Sequence, residues 1–414
     1  MTDSTLHPRL VQSRLREALA DSPVVLLHGP RQCGKTTLAQ AIGADGDRRY
    51  LTLDDPATLL AVQADPSGFV LDIDGPVTID EAQRVPELFL AIKQSVDRDR
   101  RPGRFLLTGS ANALFVPTVA DSLAGRMAMV RLHALSEVEI AHRRPTFLDR
   151  VFAADFKVAQ AERLGPRLAD LIVRGGYPEA VRRGSERARR TWARDYLEAI
   201  VQRDVRDLAR IQRFDVLPRL LELAAGHTAR LVNVSEIAGP FGVCRTTVRD
   251  YLTLLRHVFL VEELPAWHAN RLKRLVKTPK LHVTDTGLAC ALLGVEAADL
   301  RDDRKLLGQL LETFLVQEIR RQASGWAHDV RFSHYRDKDR QEVDIVLERG
   351  PRQIVGVEVK AAATLRDADR RGLERLRDAA GEAFRCGVLL YDGETLVPVG
   401  DRIYAVPLGM VWGE

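Results

Sequence analysis

The octapeptide Gly29-Pro30-Arg31-Gln32-Cys33-Gly34-Lys35-Thr36 limits what this chain can fold into more than any other stretch. Its spacing is GxxxxGK[ST]. It stands where that spacing has physical meaning, after the apolar run Val24-Val25-Leu26-Leu27 and before a helical pattern that begins at Thr37. Glycines allow backbone N–H groups to curl around phosphate oxygens, and the following helix points its positive end at the same anion. Lys35 is expected to reach the β- and γ-phosphates of ATP, and Thr36 to offer its hydroxyl to Mg2+. The expected nucleotide contacts are Gly29, Pro30, Arg31, Gln32, Cys33, Gly34, Lys35, Thr36 and Thr37.

Two more short apolar runs follow, Val77-Thr78-Ile79 and Phe105-Leu106-Leu107. Short buried strands separated by helical segments indicate a parallel sheet covered on both faces. The first of these runs ends in Asp80-Glu81. Asp80 is expected to hold Mg2+ through water, and Glu81 to orient and deprotonate the attacking water. A solvated acidic turn is the alternative, but after a phosphate loop the pair favours hydrolysis over binding alone.

Beyond about residue 134 the pattern turns helical. Val234-Ser235-Glu236-Ile237-Ala238 begins a short helix with Ser235 as a cap, residues 239–242 read as a turn, and residues 244–256 form a second helix. That helix gathers Val248, Tyr251, Leu252 and Leu255 on one face and carries Arg245, Thr246, Thr247 and Arg249 at its start. With the strand-like 257–264 after it, the segment describes a winged helix-turn-helix. Either Arg245 and Arg249 touch DNA phosphates or base edges, or the module contacts protein. The net charge of +4 does not by itself demand a nucleic-acid partner.

A basic, proline-ended connector at 270–279 (Arg271, Lys273, Arg274, Lys277) reads as a boundary. Past it, residues 342–347 and 354–359 pattern as strands. Asp344 lies on the first, and Glu358 and Lys360 share one face at the end of the second. Two carboxylates beside a lysine can bind Mg2+ or Mn2+ and activate water for phosphodiester attack. A surface salt-bridge ladder is the plainer alternative. The four cysteines, Cys33, Cys244, Cys290 and Cys386, form no CxxC pair, and the ten histidines show no ligand spacing, so neither a zinc site nor a disulfide framework is expected. The first ten residues contain no apolar core of a signal peptide, and no run approaches the roughly 20 apolar residues of a spanning helix. A cytoplasmic chain without a membrane partner is expected.

On the P-loop and Asp80-Glu81 the sequence resembles AAA-plus ATPases, specifically the prokaryotic branch that carries a C-terminal domain of unknown function, over essentially the whole chain. The resemblance implies a γ-phosphate sensor at the end of Leu106-Leu107-Thr108-Gly109-Ser110, with Ser110 preferred and Thr108 second. It implies an arginine finger at Arg126, which follows Ser122-Leu123-Ala124-Gly125 and would act in a neighbouring subunit of a homo-oligomer; a structural arginine at a helix end is the alternative. Arg174-Gly175-Gly176-Tyr177-Pro178 resembles the lid turn of related ATPases, so that Pro178 borders the adenine. Cys33 departs from the aliphatic residue usual in that loop and exposes it to thiol oxidation. Asp344, Glu358 and Lys360 match the motif positions of the PD-(D/E)xK nuclease core, and Glu312 resembles an additional acidic metal ligand of some members.

The expected fold is α/β: a P-loop NTPase parallel sheet with a helical lid, a winged helix-turn-helix middle and an α/β restriction-endonuclease-like C-terminal domain. The expected domains are 1–150 for the ATPase core, 151–190 for the lid, 191–270 for the winged helix and 271–414 for the nuclease-like part. The expected function is ATP hydrolysis whose nucleotide state controls a DNA-binding, nuclease-like module. The rival readings are a nucleotide switch that binds DNA or protein without cutting, and a protein-remodelling ATPase.

Overall fold

The computed structural model describes residues 6–44, 46–110, 123, 125–205, 216–239 and 242–413. They form two compact units. The first is residues 9–135 with 257–259, and the second gathers the described residues of 1–8, 136–256 and 260–414.

The first unit runs α1 (Gln12–Asp21), β1 (Val24–His28), α2 (Lys35–Ala44), β2 (Arg49–Thr52), α3 (Pro56–Ala64), α4 (Pro66–Leu71), β3 (Val77–Asp80), α5 (Glu87–Arg98), β4 (Phe105–Gly109) and β5 (Met127–Arg131). Its five strands lie in the order β2-β3-β4-β1-β5, every neighbouring pair parallel. β1, β3 and β4 are buried at every position, which is why they read as unbroken apolar runs. Side chains still alternate along them. Val24, Leu26, Ile79 and Leu107 pack with Phe89 and Ile92 on one face, while Val25, Leu27 and Leu106 pack with Leu15, Cys33 and Leu38 on the other. The consequence for function is positional: β1, β3 and β4 end side by side, so the residues that follow them share one crevice at the carboxyl edge of the sheet.

The second unit contains β6 (Ala159–Gln160), the helices Arg167–Arg174, Pro178–Val181 and Glu186–Ala199, and the helix Val216–Gly226. Next come β7 (Arg230–Leu231), the helices Val234–Ala238 and Arg245–His257, β8 (Val261–Leu264) and β9 (Lys280–Val283), with the strands paired antiparallel in the order β7-β9-β8. Asn233, rather than Ser235, caps the first helix of the pair, its side chain accepting from the Glu236 N–H. The second buries Val248, Tyr251, Leu252 and Leu255, while Arg245 and Arg249 are exposed. Pro240 and Phe241 of the intervening turn lie outside the described residues.

The C-terminal part continues with helix Arg304–Ser324, β10 (Arg331–Arg336), β11 (Glu342–Glu348), β12 (Ile354–Lys360), helix Arg371–Ala380, β13 (Phe384–Tyr391), β14 (Thr395–Gly400) and β15 (Ile403–Pro407). Its sheet has the order β10-β11-β12-β13-β15-β14-β6. β10, β11 and β12 form an antiparallel meander, and β12, β13 and β15 are parallel. Among the described residues, no helix is long and apolar enough to cross a membrane.

Candidate functional site

At the end of β1 the chain turns through Gly29 so closely that a Cβ there would lie 2.1 Å from the Leu132 carbonyl oxygen. Gly34 has φ +100°, a conformation that side chains rarely adopt. Both positions need glycine for steric reasons before any ligand is considered. Arg9 pins the loop from outside, donating to the Cys33 carbonyl at 2.7 Å and to the His133 carbonyl at 2.6 Å. Lys35, only 5% exposed, opens α2 and turns its ammonium onto the carbonyls of Gly29 (3.0 Å) and Pro30 (2.7 Å). Cys33 is fully buried against the Leu132 carbonyl, while Arg31 is half-buried and Gln32, Thr36 and Thr37 are exposed.

The ends of β3 and β4 complete the crevice. The Thr36 hydroxyl donates to Asp80 Oδ2 at 3.0 Å, Tyr50 donates to the same oxygen at 2.8 Å, and the Thr108 hydroxyl donates to Asp80 Oδ1. Thr108 also accepts the Glu81 N–H at 3.0 Å. Glu81 itself sits in the left-handed region (φ 56°), a conformation costly for a side-chain-bearing residue and often retained at functional sites. Its Oε2 accepts from Gln83 and from the Ser110 hydroxyl (3.3 Å), and Gln83 also donates to Ser110 at 3.1 Å. The structure thus brings Lys35, Thr36, Asp80, Glu81 and Ser110 together, and adds three residues that the sequence did not single out: Arg9, Tyr50 and Gln83. Burial, then the Asp80 carboxylate, raise the Tyr50 pKa, so its hydroxyl remains a donor to Asp80.

Arg126 donates through Nε to Asp97 Oδ1 at 2.6 Å, within its own unit. Ser122 and Ala124, which precede it, lie outside the described residues. Pro178 belongs to the second unit, as the first residue of its short helix. There Arg174 pairs with Glu137, and the Gly176 N–H donates to Asp285 Oδ2 at 2.8 Å. Tyr177 packs its ring against Trp192 and Tyr196, at 5.5 and 5.0 Å between centroids.

In the C-terminal sheet, Ile345 faces Val357, and one further step of that register sets Asp344 opposite Glu358. Asp344, Glu358, Lys360 and Glu312 line one cleft of about 600 Å³. Asp344 Oδ2 accepts the Val359 N–H at 3.0 Å, and Lys360 donates to Glu358 Oε1 at 2.8 Å. A second lysine, which the sequence left unremarked, enters the cluster. Lys280, the first residue of β9, donates to Glu312 Oε1 at 2.7 Å and to Asp344 Oδ1 at 3.2 Å. Burial opposes its charge, but Glu312 and Asp344 outweigh it and raise its pKa. Burial and Asp344 push Glu358 up to about 8. With an ammonium bonded to two of the three carboxylates, this donor set does not fit a divalent cation as it stands. Among the described residues, no group of three or more His, Cys, Asp or Glu side chains is arranged to hold a metal ion.

Comparison with known proteins gives the family of the chain. Residues 21–141 match the model of an AAA domain, residues 165–299 a domain of unknown function (DUF8612), and residues 307–411 another (DUF4143). Uncharacterized protein Rv2008c of Mycobacterium tuberculosis is 31% identical over 409 residues, covering 98% of this chain and 85% of that protein. The chain belongs to this family of AAA-type ATPases. A further relative, uncharacterized protein MJ1544 of Methanocaldococcus jannaschii, is 21% identical over 423 residues, covering 98% of this chain and 90% of that protein. Among solved structures, the Walker-type ATPase PABY2304 of Pyrococcus abyssi aligns with a TM-score of 0.43 at 16% identity, over 68% of this chain and 94% of that one. As an AAA-type ATPase, the chain binds ATP.

Proposed function

We propose that this AAA-type ATPase hydrolyses ATP with Mg2+ at the carboxyl edge of β1, β3 and β4, and that its nucleotide state controls an attached module that engages DNA. The carrying observation is the hydrogen-bonded chain that runs from Thr36 through Asp80 and Thr108 to Glu81, Gln83 and Ser110. The Thr36 hydroxyl and the Asp80 carboxylate, 3.0 Å apart, fit a divalent ion that Thr36 would ligate and Asp80 would hold through water. Held by Thr36 and Asp80, Mg2+ would supply charge neutralisation at the β- and γ-phosphates. Lys35 exchanges its loop carbonyls for phosphate oxygens. Glu81 takes a proton from the water that attacks the γ-phosphorus while the bond to the β–γ bridging oxygen breaks, yielding ADP and phosphate. Ser110 and Gln83 keep the Glu81 carboxylate aimed. Arg126 is assigned to the site of a neighbouring subunit of a homo-oligomer.

The same reading divides the chain into an ATPase core (1–150), a helical lid (151–190), a winged helix (191–270) and a nuclease-like part (271–414), in a cytoplasmic protein. The exposed arginines Arg245 and Arg249 support contact with DNA phosphates. A specific observation favours binding over cutting in the C-terminal part: Lys280 already bonds Glu312 and Asp344. The ATPase proposal is tested by calorimetry and steady-state turnover. Lys35→Ala is expected to lose nucleotide affinity. Glu81→Gln is expected to bind ATP normally while kcat falls by about 10²–10⁴. Wild-type turnover in Glu81→Gln would show that another group is the base.

A further inference from the structure

Lys280 stands first in β9 of the three-stranded sheet β7-β9-β8, yet its ammonium ends among the carboxylates of the C-terminal cleft. It is 3% exposed, and its Nζ lies 2.7 Å from Glu312, 3.2 Å from Asp344 and 3.8 Å from Glu342. A lysine this deeply buried persists only when its charge is paired and its hydrogens are accepted. Here the acceptors come from two different elements, the helix Arg304–Ser324 and β11. We infer that Lys280 is the resident cation of this cluster, taking the charge-neutralising place that a divalent ion would fill, so that the nuclease-like cleft holds no catalytic metal.

Three details support this. Lys280 and Lys360 between them already bond both motif carboxylates and the additional Glu312, Lys280 to Glu312 and Asp344, and Lys360 to Glu358. A divalent ion among them would lie within a few ångströms of the buried Lys280 ammonium. Finally, the remaining oxygen of Glu358, Oε2, is buried without a hydrogen-bond partner. Removing the Lys280 ammonium would free Glu312 Oε1 and Asp344 Oδ1, and with Glu358 Oε2 these are three oxygens that would have to shift from their present places to close on a hard cation. Lys280 also acts as a pin, because its loss removes a charge-assisted link between the sheet β7-β9-β8 and the seven-stranded C-terminal sheet.

The inference rests on the nuclease-like reading of the C-terminal part and is independent of ATP hydrolysis. Its test counts Mn2+ bound to the full chain by electron paramagnetic resonance, without nucleotide and with Asp80→Asn in every sample to remove the ATP-site ligand. The chain that retains Lys280 is expected to bind no Mn2+ that Asp344→Asn abolishes. Lys280→Met is expected to gain one Mn2+ per chain and a melting temperature that Mn2+ raises, both lost again on adding Asp344→Asn. An Asp344-dependent Mn2+ in the Lys280-containing chain overturns the inference, and so does a folded Lys280→Met chain that gains none. If Lys280→Met does not fold, the count on the Lys280-containing chain decides alone. A chain that binds no DNA but behaves as expected towards Mn2+ sinks only the reading of the module as a DNA binder.

Discussion

A single side chain beside the P-loop ties the stability of the ATPase unit to pH. His28 ends β1, is 7% exposed, and has its ring 5.8 Å from that of Phe259. Burial first, then the charges of Arg131 and Lys35, push its pKa down from 6.5 to about 4. In the unfolded chain the imidazole takes a proton near its ordinary pKa, whereas the folded chain resists until pH is much lower. Between those values the unfolded state binds more protons, so this contribution is intact above pH 6.5 and is lost as pH falls towards 4. A difference of this size is worth roughly 3 kcal/mol. Chemical denaturation at pH 7 and at pH 4.5 is therefore expected to show a larger acid loss in the wild type than in His28→Gln. Equal losses in the two proteins would mean that the imidazole is not held neutral.

At the level of elements, the helix Arg245–His257 makes the sharper prediction. Its apolar face is used up in packing, and its exposed start carries Arg245 and Arg249. If those arginines meet phosphates, replacing both with alanine should weaken duplex binding for every sequence tried. It should also flatten the dependence of log affinity on log salt by about 2. Unchanged affinity and slope would assign this helix to protein contacts instead. Elements such as this were legible because their burial is written as periodicity. β1, β3 and β4 were legible for a different reason, being buried on both faces and hence unbroken apolar runs. β2 escaped because Arg49–Thr52 is an edge strand with no position fully buried, and Tyr50, which bonds Asp80, went with it. The P-loop residues announced themselves by spacing, but Arg9 and Gln83 act from positions whose neighbours carry no motif. Lys280 was hidden by its surroundings. Following Arg271, Lys273, Arg274 and Lys277, another lysine reads as solvated charge, and only strand pairing turns it inward.

The scale of the whole molecule is where Arg126 must be judged, because a finger has no function inside its own subunit. Arg126 lies just ahead of β5 and is paired with Asp97 at 2.6 Å, its side chain 26% exposed. A partly exposed pair of this kind is weakly held, so the guanidinium can leave Asp97 for a more strongly charged phosphate across an interface. Such an arrangement separates two losses that look alike in a single-variant assay. If Arg126 is a finger and Glu81 the base, Arg126→Ala keeps its own base but cannot serve a neighbour, whereas Glu81→Gln lacks the base yet still presents its arginine. Each alone is expected to be nearly inactive. In a mixed oligomer, some sites combine an intact Glu81 from one chain with an intact Arg126 from the next, and those sites should hydrolyse ATP. Turnover on mixing the two variants, absent from either alone, is the expected result. If native mass spectrometry finds mixed oligomers and no turnover returns, Arg126 is a structural partner of Asp97, and the arginine that completes the site lies elsewhere.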